Sequence, residues 1–216
     1  YMAISSEAKD QAPSSASSIN LPNQLTILRI FIVPVFVILI SMGPWSAYLI
    51  ALVLFTVASI TDYYDGKIAR ERNLVTNFGK LLDPLADKVL MAAAFVMLMT
   101  IDSLWIPGWT IVAILAREFL ITGVRSLAAG EGVIIAANKH GKIKTTLQMV
   151  FIFVFLPLAI LEQVLGMYAP DQATAYASTL HYASMIGITL VALYTVYTGI
   201  VYIAQSWRSL KLGVLS

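Results

Sequence analysis

Apolar residues fill long runs of this chain, and polar residues gather in the stretches between them. Ile30 to Met42, interrupted by Pro34 and closed by Gly43-Pro44, completes a first span of about 20 residues. It is led in by the more polar Leu21-Pro22-Asn23-Gln24-Leu25-Thr26-Ile27-Leu28-Arg29, which is expected to lie along the membrane interface before the helix turns in. Ala47 to Ile60 is apolar or small and runs straight into Thr61-Asp62-Tyr63-Tyr64-Asp65, so the second span carries two carboxylates at its far end, before Glu71-Arg72-Asn73 closes it. Phe78 to Thr100 is the third span, with Gly79, Asp83 and Asp87 in its first turns and Asp102-Ser103 as its return loop. The fourth runs from Ile106 to Ala129, with Pro107 at the first helical position and Arg117-Glu118 and Arg125 in its second half. After Gly130-Glu131-Gly132 and a loop over Val133 to Gly141, a fifth span covers Lys142 to Leu165 and a sixth Ala173 to Ala204, long enough for its first turns to project into the headgroups.

This pattern predicts an all-α, polytopic membrane protein with six transmembrane helices and an N-terminal interfacial segment, forming one domain over residues 21–216. Composition agrees: 59% of residues are hydrophobic and 12% charged, against about 25% charged in an ordinary soluble domain. Residues 1–20 are rich in Ser, Ala and Gln, lack the apolar core of a signal peptide, and are expected to be a disordered tail, in part an expression remnant because Tyr1 precedes Met2. Without cysteine there is neither a disulfide framework nor a thiolate ligand or nucleophile.

The net charge of +2 becomes informative once the charges are placed. With six spans and a cytoplasmic tail, all 14 Lys and Arg fall on the cytoplasmic side or in span halves opening toward it, and the three return loops carry none. Those return loops hold Trp45, Trp105, Trp109 and Tyr168, which suit an aromatic interfacial belt. His140 and His181 fall on opposite sides of the membrane and cannot share a metal.

Four carboxylates between two apolar runs need a physical reason. An Asp near the middle of a membrane helix costs roughly 2.5 to 3.5 kcal/mol, so four unpaired ones would cost about 10 kcal/mol or more. An interfacial depth lowers that cost, and clustering raises it again through like-charge repulsion. On a helix Asp62, Asp65 and Ala69 share a face with Gly66 close by, while Gly79, Asp83 and Asp87 recur every four residues as a second stripe. Small residues at Gly66, Ala69 and Gly79 allow close helix approach and leave room for a ligand. An oxygen-only donor set with no Cys favours a hard cation such as Mg²⁺ or Mn²⁺ over zinc, and four carboxylates suffice for two ions. The plainer alternative pairs these Asp with Lys67, Arg70, Lys80 and Lys88 as interfacial salt bridges, which would not require carboxylates and small residues on matching faces.

The spacing D-x2-D-G-x2-A-R-x8-G-x3-D-x3-D, met by Asp62, Asp65, Gly66, Ala69, Arg70, Gly79, Asp83 and Asp87, resembles the signature of the CDP-alcohol phosphotransferases. Leu21-Pro22-Asn23-x2-Thr26-x2-Arg29 resembles that family's opening segment. Ala116-Arg117-Glu118-x4-Gly123-x-Arg125 and Gly141-Lys142-x-Lys144-Thr145 are similar to its bacterial branch that uses sn-glycerol 3-phosphate.

The resemblance implies transfer of a phosphatidyl group from CDP-diacylglycerol to an alcohol with release of CMP. It implies Asp62, Asp65, Asp83 and Asp87 as ligands of Mg²⁺ or Mn²⁺, with Asp87 also general base for the acceptor hydroxyl. An ordinary Asp, with a pKa of about 4, is a weak base, so either the metal acidifies that hydroxyl or the carboxylate's pKa rises. The nucleotide and diphosphate side is carried over to Asp62, Gly66, Ala69 and Arg70, with Asn23 and Thr26 beside it, although Arg70 would serve equally as a headgroup anchor. An acceptor phosphate needs cations away from the metals, and Arg117, Arg125, Lys139, Lys142 and Lys144 are available, the two Arg set deepest in their span. The three Lys also fit a positive-inside loop on anionic lipids, and Glu118 is placed to neutralise Arg117. The family resemblance further implies a homodimer in the bacterial cytoplasmic membrane. Two other readings remain open: the same family with serine, inositol phosphate or a lipid alcohol as acceptor, and a divalent-cation transporter, which gives Gly66, Ala69 and Arg70 no role.

Overall fold

The computed structural model describes the backbone of residues 21–71, 77–130 and 139–214, and the side chains of residues 26–61, 85–128 and 141–205. The expected tail, residues 1–20, lies outside the described residues. Among the described residues the chain forms six helices and no strand: α1 (Leu21–Met42), α2 (Trp45–Glu71), α3 (Asn77–Leu98), α4 (Gly108–Gly130), α5 (Lys139–Tyr168) and α6 (Pro170–Val214).

Two boundaries differ from the sequence expectation in an instructive way. The leader from Leu21 is continuous with the apolar run in one helix, α1, because no turn residue separates the two. Pro34 sits inside the same helix; packing against neighbouring helices lets a membrane helix tolerate the lost backbone donor. At the other end of the chain, α6 has 45 residues, which at 1.5 Å rise is about 68 Å. That is about twice the hydrocarbon thickness, so it extends beyond the bilayer.

The helices divide into two groups. α1 packs on α2 and α3, while α6 packs on α5 and α4; α2 against α5 and α3 against α4 and α5 join the groups. Direction follows from the contacts. Trp105 meets Ser184, Arg117 meets Thr198 and Arg125 meets Tyr202, so the chain leading through α4 runs with α6. Gln148 meets Thr195 whereas Leu158 meets Tyr176, so α5 runs against α6. The α1–α2 turn is fixed by Gly43, whose positive φ of 91° favours glycine. Gln163 from α5 donates to the Gly43 carbonyl at 2.9 Å.

Large apolar side chains cover the exterior, and alanines share the interior with buried Phe, Leu and Ile. Phe31, Val112 and Leu127 are exposed, whereas Ala51, Ala58, Ala94, Ala159 and Ala192 are fully buried. In lipid the hydrophobic effect does not drive helices together, so close van der Waals packing across small residues takes its place. Phe36 and Phe55 at 6.0 Å and Phe55 and Phe153 at 5.4 Å tie α1, α2 and α5 through the middle of the bundle. Phe95 and Phe151 at 6.3 Å add α3. Gly141–Tyr168 and Pro170–Gln205 are long and apolar enough to cross a membrane, and Thr26–Met42 and Trp45–Thr61 are shorter apolar helices. This is a membrane protein: in water its apolar exterior would be one continuous aggregation surface.

Candidate functional site

A cavity of about 450 Å³ opens where α3, α4, α5 and α6 meet. Its charged lining is Lys88 from α3, Arg117, Glu118 and Arg125 from α4, and Lys142 and Lys144 from α5, with Thr198 and Tyr202 from α6. Five cations therefore face one carboxylate. Arg117 and Lys144 are buried, Lys88 is half-buried, and Arg125 and Lys142 are exposed, so the repulsion that an anion would relieve is greatest between the two buried cations.

Local geometry explains how the cations converge. Arg117 and Arg125, eight residues apart on α4, reach Thr198 and Tyr202, four apart on α6. Arg117 Nη2 donates to Thr198 Oγ1 at 3.4 Å, and Arg125 Nε donates to the Tyr202 hydroxyl at 3.0 Å. Arg117 is buried and Arg125 is exposed, so the two expected to lie deepest are in fact an inner and a rim cation, because eight residues carry α4 two turns further toward its end. Lys144 is buried and ion-paired with Glu118, which also lies 3.5 Å from Arg117 Nη1. Glu118 thus neutralises Lys144 closely and Arg117 only at a distance.

Of the cations predicted for an acceptor phosphate, the structure brings together Arg117, Arg125, Lys142 and Lys144. The side chain of Lys139, in the first turn of α5, lies outside the described residues. Asp87 is half-buried on α3 and lines a small void of about 30 Å³ with Lys88, Glu118 and Lys144, which puts it beside the cationic cavity. The backbone places Asp62, Asp65, Gly66, Ala69 and Arg70 in the last turns of α2 and Gly79 and Asp83 in the first turns of α3. Their side chains, with that of Asn23, lie outside the described residues. α1 packs on both α2 and α3, and its Thr26 and Arg29, three residues apart, are buried and engaged in polar interactions.

Three lining residues carried no reading for this cavity in the sequence. Lys88 had been weighed only as a partner for the Asp cluster, yet its Nζ lies 3.5 Å from the Glu118 carbonyl and lines the cavity. Thr198 and Tyr202 lie in an apolar run with no local signal.

The chain is similar to known proteins over most of its length. A family model described as CDP-alcohol phosphatidyltransferase matches residues 19–204. Over 204 residues the chain is 36% identical to the CDP-diacylglycerol–glycerol-3-phosphate 3-phosphatidyltransferase of Bacillus subtilis (strain 168), covering 89% of this chain and 97% of that protein. The protein of the same name from Rickettsia typhi (strain ATCC VR-144 / Wilmington) is 45% identical over 130 residues, 60% of this chain and 72% of its own. A probable phosphatidylglycerophosphate synthase of Mycobacterium tuberculosis (strain ATCC 25618 / H37Rv) is 35% identical over 204 residues, 93% of this chain and 88% of its own.

Proposed function

Because the chain belongs to the CDP-alcohol phosphatidyltransferase family, we propose that it transfers the phosphatidyl group of CDP-diacylglycerol to sn-glycerol 3-phosphate, releasing CMP and giving phosphatidylglycerol phosphate. The observation that carries the acceptor is the cationic cavity beside Asp87. The acceptor brings a phosphate of its own, and serine would leave five cations with only Glu118 among them and Asp87 beside them. The names of the relatives from Bacillus subtilis and Rickettsia typhi support glycerol 3-phosphate over inositol phosphate.

In this reading the acceptor's phosphate is held by Arg117, Arg125, Lys142 and Lys144, with Lys88 added from α3 and Lys139 at the start of α5. Asn23, Thr26, Asp62, Gly66, Ala69 and Arg70 hold the nucleotide and diphosphate. The acceptor hydroxyl oxygen forms a bond to the phosphorus that carries diacylglycerol, the bond from that phosphorus to the bridging oxygen breaks, and CMP leaves with the electron pair. Asp87 takes the hydroxyl proton. The family depends on divalent metal, and the donor set fits: Asp62, Asp65, Asp83 and Asp87 are hard oxygen ligands from two helices, with no cysteine in the chain to draw zinc. They would hold two ions, Mg²⁺ or Mn²⁺, which when bound neutralise diphosphate charge and acidify the attacking hydroxyl.

The protein acts as a homodimer in the bacterial cytoplasmic membrane, with six spans and the site facing the cytoplasm. Support for that orientation is the complete absence of Lys and Arg from the three return loops. The test is CMP release from CDP-diacylglycerol with glycerol 3-phosphate, glycerol, serine and inositol phosphate, each with and without chelator. Release only with glycerol 3-phosphate, abolished by chelator and restored by Mg²⁺ or Mn²⁺, is expected. Equal release with serine or glycerol would sink the acceptor assignment, and metal flux into liposomes without the lipid donor would favour a transporter.

A further inference from the structure

We propose that Gly199 is a positioning residue for the acceptor's phosphate: by lacking a side chain it forms the seat in α6 that holds the stem of Arg117. This rests on Arg117 being a ligand of that phosphate, as proposed above.

Three observations carry it. First, a Cβ built on Gly199 would lie 2.8 Å from Arg117 Cγ, 3.4 Å from Nε and 3.7 Å from Cδ. Carbon atoms in good contact are about 3.5 to 4.0 Å apart, so a methyl group cannot fit without moving the arginine. The atom struck first is Cγ, near the base of the side chain, so a swing of the guanidinium alone gives no relief. Second, hydrogen bonds do not fix Arg117. Its contacts to Thr198 and Glu118 are long, at 3.4 and 3.5 Å, and its buried Nε has no hydrogen-bond partner among the described residues. Bonds that define a geometry lie nearer 2.9 to 3.0 Å, roughly. Third, the three atoms nearest to that Cβ all belong to the Arg117 side chain and none to the α4 backbone, so a side chain there would meet the arginine first. Glycine is an unfavourable residue in a helix interior, and here it accommodates one side chain of the cationic cavity.

The test is steady-state kinetics and thermal unfolding on the full chain in detergent micelles, for Gly199→Ala, Arg117→Ala and the double variant. Gly199→Ala is expected to raise KM for glycerol 3-phosphate about tenfold, since a shift of ~1 Å at a binding group is costly, while KM for CDP-diacylglycerol and kcat change less than twofold. Arg117→Ala should raise the same KM at least as far. The double variant should match Arg117→Ala alone, because no stem remains for the new methyl group to strike. Additive losses in the double variant, or equal rises in both KM values, would assign Gly199 to general packing and overturn the proposal. If Gly199→Ala fails to fold, recovery of folding in the double variant supports the seat and failure of both overturns it. If Arg117→Ala leaves KM for glycerol 3-phosphate unchanged, the acceptor reading itself falls and the seat's role falls with it. If only Gly199→Ala is without effect, the acceptor reading stands and the seat alone is wrong.

Discussion

The bundle has a second cavity at its other end, larger than the first, and the two differ in charge more than in size. The cationic cavity of about 450 Å³ brings Lys88, Arg117, Arg125, Lys142 and Lys144 against Glu118. The other, about 720 Å³, lies at the α1–α2 turn and the ends of α3 and α5, and its charged groups are Asp102 and Glu162. Volume alone would choose the second. A nucleotide-diphosphate lipid and a phosphorylated acceptor are both anions, and carboxylates without cations repel them. The polar groups at that end also have a structural use: Gln163 holds the Gly43 turn, and Tyr48 is hydrogen-bonded to Gln163. Polar groups at one end hold a turn; at the other they leave an excess of positive charge for a ligand to balance.

The sharpest way to break that contrast is at Asp87. Asp87→Asn keeps shape and removes the proposed base, so CMP release should fall about 10²- to 10⁴-fold while the protein stays folded. Turnover within tenfold of the parent, measured with both substrates saturating, would remove Asp87 from the chemistry.

Much of this was legible before any coordinates. Six apolar runs predicted six helices, because apolar content sets where a membrane helix runs; the largest departure is α6, which continues ten residues past Ala204 to Val214 because its polar end, outside the bilayer, carries no apolar signal. Arg117, Arg125, Lys142 and Lys144 were identified as one group because charges are rare and costly in such runs. What could not be read was the α6 wall. Thr198, Gly199 and Tyr202 are ordinary residues of a membrane helix, and their role comes only from packing against α4, with Arg117 and Thr198 81 positions apart in the chain. Lys88 is not legible as a lining residue because its neighbours in sequence say nothing of the Glu118 carbonyl that it meets across the helix interface.

A middle-sized effect separates the acceptor cations from the reaction itself. Removing a charge from a buried, hydrogen-bonded anion site costs about 2 to 5 kcal/mol. The double variant Arg117→Ala, Arg125→Ala should therefore raise KM for glycerol 3-phosphate about a hundredfold, with KM for CDP-diacylglycerol nearly unchanged. Arg117 should account for more of this than Arg125, because it is buried and Arg125 stands at the rim. An equal rise in both KM values would mean that the two Arg serve the donor as well.

The smallest expected effect tests the other end. Asp102→Asn with Glu162→Gln removes both carboxylates from the larger cavity without changing shape, and kcat and both KM values should stay within twofold of the parent. A long-range electrostatic objection is that two fewer negative charges would favour every anionic ligand. At physiological salt, exposed charges separated by more than the Debye length of about 8 Å are largely screened. The two cavities share no lining residue: one draws on the second half of α4 and the first turns of α5, the other on the loop before α4 and the last turns of α5. A five- to tenfold fall in KM for glycerol 3-phosphate, persisting at high salt, would show that the ends are coupled through the helices. The division between a turn-holding end and a reacting end would then have to be abandoned.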